Sequence, residues 1–353
     1  MRPSPVDALV AAGLGRPGAA PDPEALARWR LPALGRAVRH AARAPFYRER
    51  LGALPADFPR SLAEFQALPF TTPADLTGGH ARFLAVSQDD VARMVTLSTS
   101  GTTGAPKRVA FTAADVEDIR RFFHVGIATL VEPGDTVLIL MPGERPDSIG
   151  DLLCRTLPRL SARGLLGDPT GDPGNLRRDL ETHRPDVLVA APSQIRRALD
   201  DAAVCAAARD TLRNVLLSAE ALPEGWKELL ADRFGAVVFD HYGATEMGYG
   251  GGVECEAFAG YHLRETELFF EVVDMATGSP LPDGQAGEVV FTTLTARGMP
   301  FVRYRTGDAA RWLPGPCPCG SGLRRLGPIL GRIVRGEHGP KLVNPAKGAA
   351  NRP

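Results

Sequence analysis

Hydrophobic positions follow two regimes along the chain. Residues 1–23, rich in Pro, Gly and Ala, show no sustained period and are expected to be loosely ordered. From Pro23 to Arg50, Leu26, Trp29, Leu34, Val38 and Ala42 recur near helical spacing and predict one helix. Further on, short apolar runs alternate with helical stretches. Met94–Ser98 and Arg108–Thr112 read as strands flanking a Ser/Thr/Gly turn, and Asp135–Met141, Asp186–Ala190, Asn214–Ser218 and Ala236–Phe239 read as buried strands. Helices are expected around Ala114–Leu130, Ile149–Leu160, Pro192–Ala203 and Pro223–Phe234. This alternation predicts an α/β protein, a largely parallel or mixed sheet flanked by helices, with ligand loops at strand ends. After Gly243 the pattern changes: Glu267–Asp274, Gly287–Leu294 and Phe301–Tyr304, separated by Gly/Pro turns, suggest a β-rich subdomain. The expected organisation is therefore a loose N-terminus (1–23), an α/β body (24–242), a β-rich subdomain (243–330) and a short tail (331–353).

Charge removes some functions from consideration. Lys+Arg and Asp+Glu are both 41, so the chain lacks the basic excess of a nucleic-acid binder. Five cysteines in 353 residues do not make a disulfide scaffold and favour a reducing compartment. No apolar run reaches bilayer-spanning length, and the N-terminus makes a poor signal peptide, so a cytoplasmic protein without membrane or nucleic-acid partners is expected.

The densest chemistry lies in Ser98-Thr99-Ser100-Gly101-Thr102-Thr103-Gly104-Ala105-Pro106-Lys107. Glycines permit tight turns, hydroxyls and backbone N–H groups can surround phosphate oxygens, and Lys107 adds a point charge. It is not a Walker loop, because Pro106 stands where Gly must precede the Lys. By itself such a segment could also be a flexible hairpin.

This segment resembles the signature of the adenylate-forming superfamily, and later segments match the same family in order. Asp240-His241-Tyr242-Gly243-Ala244-Thr245-Glu246 resembles its aromatic-Gly-x-Thr-Glu motif, and Tyr304-Arg305-Thr306-Gly307-Asp308 its ribose-binding motif. Gly331-Arg332 resembles the start of its hinge motif, and Ser218-Ala219-Glu220-Ala221 more weakly its adenine loop. The resemblance implies an adenylate-forming body that binds ATP with Mg²⁺ and activates a small carboxylic acid as acyl-AMP. It implies that Thr99, Ser100, Gly101, Thr102, Thr103, Gly104 and Lys107 hold phosphates. Ala219, Glu220, Ala221, Asp240, His241, Tyr242, Gly243, Asp308 and Arg332 would surround adenosine. Thr245 would contact phosphate and Glu246 would hold Mg²⁺, with Thr102, Lys107, Thr245 and Glu246 as the catalytic set.

Ala44-Pro45-Phe46-Tyr47-Arg48, Leu68-Pro69-Phe70-Thr71-Thr72-Pro73 and Gly298-Met299-Pro300-Phe301-Val302-Arg303 resemble the phenylacetate–CoA ligase branch, although Pro73 replaces the usual Lys. Cys255, His262, Cys317 and Cys319 form a candidate Cys₃His site, a donor set that suits tetrahedral Zn²⁺. Their spacing is unlike a zinc finger; the resemblance implies a structural metal there. Only 21 residues follow Arg332, so most of the small C-terminal domain of complete relatives is expected to be absent. That leaves open transfer to coenzyme A, a partner supplying the missing domain, assembly as a homodimer, and a non-catalytic or truncated ATP- or acyl-AMP-binding homologue. The acid is not legible: Met141–Gly150, where relatives line the acyl pocket, is polar and Gly/Pro-rich, and its Arg145 could meet a second carboxylate or solvent.

Overall fold

The computed structural model describes residues 2–77, 79–97, 107–336 and 339–343. The N-terminus departs from expectation. Pro5–Gly13 is a helix, capped by Ser4, whose Oγ accepts from Val6 N at 3.3 Å. Val6, Leu9 and Val10 are buried in the main core. Three apolar residues on one helical face were enough to dock it, against a composition that suggested disorder. The single helix expected over Pro23–Arg50 is two, Pro23–Ala41 and Pro45–Leu51. Pro45 lacks the N–H that would continue the first helix, and Ala44 before it is extended (φ −72°, ψ 136°). Asp22 starts the first helix by accepting from Glu24 N at 2.9 Å.

Strands β1 (Val91–Leu97) and β2 (Lys107–Thr112) pair antiparallel. The α/β core follows with β3 (Thr136–Ile139), β4 (Arg163–Leu166), β5 (Val187–Ala190), β6 (Asn214–Leu217) and β7 (Val237–Tyr242), parallel in the order β4-β3-β5-β6-β7. Short β4 and the helix Pro173–His183 carry too weak a pattern to stand out in the sequence. Leu138, Leu188 and Val215 face one hydrophobic cluster while Val137, Val187 and Val189 face another, so helices cover both sheet faces.

At Gly243 the strands reverse direction without leaving the sheet. Strand β8 (Gly252–Glu254) pairs antiparallel with β7, and β9 (Tyr261–Leu263) pairs with β8. The sheet continues through β10 (Leu268–Val273), β11 (Ala286–Thr293), β12 (Tyr304–Leu313) and β13 (Arg325–Leu326) in the order β9-β13-β12-β11-β10. The tail is also paired: β14 (Gly331–Gly336) joins β12 and forms a hairpin with β15 (Gly339–Val343). The strand expected at Phe301–Tyr304 instead begins at Tyr304, because Arg303 has a left-handed φ of 47°. Phe301 and Val302 are nevertheless buried.

The Phe-Tyr-Arg segment is tied to this corner. Tyr47 Oη accepts from Val302 N at 2.9 Å and lies 3.0 Å from Thr71 Oγ1, which donates to Val302 O at 2.7 Å. Backbone bonds Thr71 N to Arg303 O (3.0 Å) and Arg305 N to Thr71 O (2.8 Å) complete the clasp. Among the described residues, no helix is long and apolar enough to cross a membrane.

Candidate active site

Parallel strands β5, β6 and β7 deliver their C-terminal ends to one crevice, the usual ligand position in such a sheet. Strand β7 ends in Asp240-His241-Tyr242 and leads into a short turn of helix at Thr245–Met247. Gly243 is required between them: a Cβ there would lie 2.1 Å from Tyr249 O. Lys107, at the start of β2, places Nζ 3.8 Å from Glu246 Oε1. Tyr304 Oη donates to the same oxygen at 2.7 Å, so two groups far apart in sequence orient one carboxylate. The remaining expected phosphate residues, Thr99, Ser100, Gly101, Thr102, Thr103 and Gly104, lie outside the described residues.

Among the residues expected around adenosine, Tyr242 Oη donates to Asp308 Oδ2 at 3.1 Å and Arg332 Nη1 is bonded to Asp308 Oδ1. The β12–β14 register, which sets Asp308 opposite Arg332, creates that pair. Burial pushes the Asp308 carboxyl up, against the opposing charge of Arg332. Glu220 does not project freely; it accepts from Ser193 N at 2.9 Å and Ser193 Oγ at 2.6 Å. Ala219 takes a left-handed φ of 71°, and Ala221 is exposed. Asp240 sits behind the crevice: it accepts from Tyr261 Oη, and its backbone N donates to Glu254 Oε2 at 2.8 Å. Burial raises the Asp240 pKa to about 6.

Next to Gly243-Ala244-Thr245 opens a cavity of about 150 Å³. Its lining is largely apolar, with Phe122, Phe123, Ile127, Met141, Ile149 and Leu153 among the walls, and no charged side chain among the described residues reaches it. Met141 and Ile149 come from the segment expected to line an acyl pocket. The aromatic walls do not. Phe122 and Phe123 lie on the helix Ala113–Ile127, and Tyr249 follows the Thr-Glu turn. The sequence places those phenylalanines in a helix expected around Ala114–Leu130 and gives them no part in the site. Arg145 is exposed and does not line the cavity.

Away from this crevice, Cys255, His262, Cys317 and Cys319 converge, all buried, with one donor atom from each within 4.8 Å of the others. Cys255 Sγ is 3.6 Å from Cys317 Sγ, and Cys319 Sγ is 3.6 Å from His262 Nε2. Such S···S spacing is far beyond a disulfide and close to the roughly 3.8 Å edge of a tetrahedron built on Zn–S bonds of ~2.3 Å. Burial pushes the Cys255 thiol up, a cost that a bound cation would offset. His262 Nδ1 lacks a hydrogen-bond partner, and Asp7 Oδ1 lies 3.5 Å from it. Ser321 Oγ donates to the same Asp7 oxygen at 3.0 Å. A carboxylate behind a ligating imidazole is the usual outer support of a metal site. The four residues therefore fit Zn²⁺.

A family model described as AMP-binding enzyme matches residues 62–296. Phenylacetate-coenzyme A ligase of Aromatoleum evansii is 33% identical over 85% of this chain and 70% of its own length. The enzyme of the same name from Pseudomonas putida is 32% identical over 89% of this chain and 73% of its own. Among solved structures, an open conformation of 2-hydroxyisobutyryl-CoA ligase with 2-HIB-AMP and CoA superposes with TM-score 0.74 at 22% identity, covering 91% of this chain and 78% of that one. The last comparison concerns the fold.

Proposed function

The chain belongs to the AMP-binding enzyme family, among the relatives of phenylacetate–coenzyme A ligases, and on that premise we propose how its crevice carries out the family's reaction. The reaction is ATP-dependent activation of a carboxylic acid followed by transfer to coenzyme A. A carboxylate oxygen bonds to the α-phosphorus of ATP as the bond to pyrophosphate breaks. The thiol sulfur of coenzyme A then bonds to the acyl carbon as AMP leaves, and the thiol proton passes to solvent.

The carrying observation is the arrangement around Gly243-Ala244-Thr245, which forms one wall of the apolar cavity. Tyr242, paired with Asp308, directly precedes that wall along the chain, and Glu246, 3.8 Å from Lys107, directly follows it. This supports an acyl-sized space whose wall adjoins, along the chain, the residues we assign to adenosine and to phosphate. Carboxylate and triphosphate are both anions, so their approach is limited by repulsion and orientation rather than by proton removal. Lys107 brings positive charge to the phosphate edge, and Tyr304 holds Glu246 there. Mg²⁺, when bound through Glu246, neutralises phosphate charge. Asp308 can accept from ribose hydroxyls while Tyr242 and Arg332 fix its two oxygens. The cavity suits an apolar acyl group of about one ring, since a dry space of ~150 Å³ takes benzene. Cys255, His262, Cys317 and Cys319 would hold a structural Zn²⁺, tying β8, β9 and the loop before β13 together.

Acid-dependent ATP–pyrophosphate exchange tests the reading. Exchange with at least one arylacetic or branched acid is expected. ATP binding without exchange across such a panel would overturn it and favour a non-catalytic binding role.

A further inference from the structure

Ser218, His241, Thr245 and Tyr249 bring polar atoms to the otherwise apolar cavity, and the first two are paired. His241 leaves the end of β7 beside the cavity, and its Nδ1 lies 2.8 Å from Ser218 Oγ at the end of β6. Parallel pairing of β6 and β7 sets these two residues side by side, so the imidazole orientation is fixed by the sheet. Its other nitrogen, Nε2, has no hydrogen-bond partner among the described residues. Gly250 keeps that edge uncovered: a Cβ at 250 would sit 2.7 Å from Nε2 and 2.2 Å from the Phe122 ring. The resemblance sets His241 among the adenosine residues, but its ring lines the apolar cavity, and the motif that β7 carries is read on the following Tyr242, Gly243, Thr245 and Glu246.

We propose that His241, positioned by Ser218, is a specificity-determining residue that selects acids bearing one neutral hydrogen-bonding substituent, such as a hydroxyl, on an apolar body. This deepens, and rests on, the adenylation reading of the same crevice. The ring is neutral at working pH, since burial lowers its pKa to about 4, with Arg264 adding to the effect. A neutral imidazole has one donor and one acceptor nitrogen. If the Ser218 hydroxyl donates to Nδ1, Nε2–H donates to the substrate. If Nδ1–H donates to Ser218, Nε2 accepts. A hydroxyl satisfies either case. An apolar isostere that fills the cavity shields Nε2 from water and leaves it unpaired, and that loss produces the discrimination.

The test compares kcat/KM for acid-dependent pyrophosphate exchange with 2-, 3- and 4-hydroxyphenylacetate against the matching methylphenylacetates. Wild type should favour the best hydroxylated acid over its methyl isostere by roughly 10- to 100-fold. His241→Leu, with both acids compared within the variant, should abolish or reverse that ratio whatever its absolute rate, and Ser218→Ala, the milder change, should reduce it. The wild-type ratio should not change between pH 6 and 8. A wild-type ratio near one, or a ratio kept in both variants, would overturn the proposal. So would a ratio lost in Tyr249→Phe but kept in His241→Leu. If no acid of either kind supports exchange, the adenylation reading itself fails, and the two failures are thereby distinguished.

Discussion

Two adjacent residues at the end of β7 titrate in opposite senses. Asp240, raised to about 6, binds more protons folded than unfolded between its ordinary value of 3.8 and 6. Its contribution to stability is therefore fully present below about 4 and is lost as pH rises through 6. His241, lowered to about 4 from 6.5, binds fewer protons when folded, so its contribution is present above 6.5 and is lost as pH falls towards 4. The two slopes offset each other in the wild type. Asp240→Asn should unmask the histidine term: relative to wild type, the variant gains stability as pH rises from 4 to 6, by at most about 3 kcal/mol. Denaturant titrations at stepped pH would check this, and a difference independent of pH would contradict it. For the chemistry, Glu246→Gln should keep the fold and lower exchange kcat by about 10²-fold or more, the scale of losing one preorganised electrostatic group. These side chains were legible in the sequence as motif members. Their partners were not: Tyr304 on Glu246 and Tyr261 on Asp240 are pairings across the sheet, and no local pattern encodes them.

Elements show the same division. Buried parallel strands such as Val187–Ala190 and Asn214–Leu217 stood out because both their faces are apolar. The N-terminal helix did not stand out, since a few aliphatic positions among Pro, Gly and Ala look like a linker until the surface that receives them is known. Its Asp7 reaches His262, so metal and helix should be coupled. With zinc bound as proposed, chelation is expected to release it and to raise amide exchange selectively in residues 5–13 and 255–262. Unchanged protection in the helix, with metal demonstrably removed, would break that link. Tyr47→Phe tests the clasp between the Phe-Tyr-Arg helix and the corner before β12. It strands Val302 N–H in the core and should cost about 1–3 kcal/mol of stability by denaturant titration.

At the scale of the molecule, one sheet carries the whole account. Its parallel half supplies strand ends and an acyl-sized cavity, and its antiparallel half supplies the Asp308–Arg332 pair and the tyrosine on Glu246. The ordered motifs made the family legible from sequence alone. The cavity was less so, because Phe122 and Phe123 come from a helix whose periodicity says only that they are buried. The central claim is that this crevice joins a carboxylate to the α-phosphorus of ATP. Its most direct test is to supply an accepted acid labelled with ¹⁸O in both carboxylate oxygens, together with ATP and coenzyme A, and to weigh the products by mass spectrometry. Adenylation predicts AMP carrying one ¹⁸O and an acyl-CoA retaining the other. Unlabelled AMP, or label appearing in inorganic phosphate alongside ADP, would contradict it.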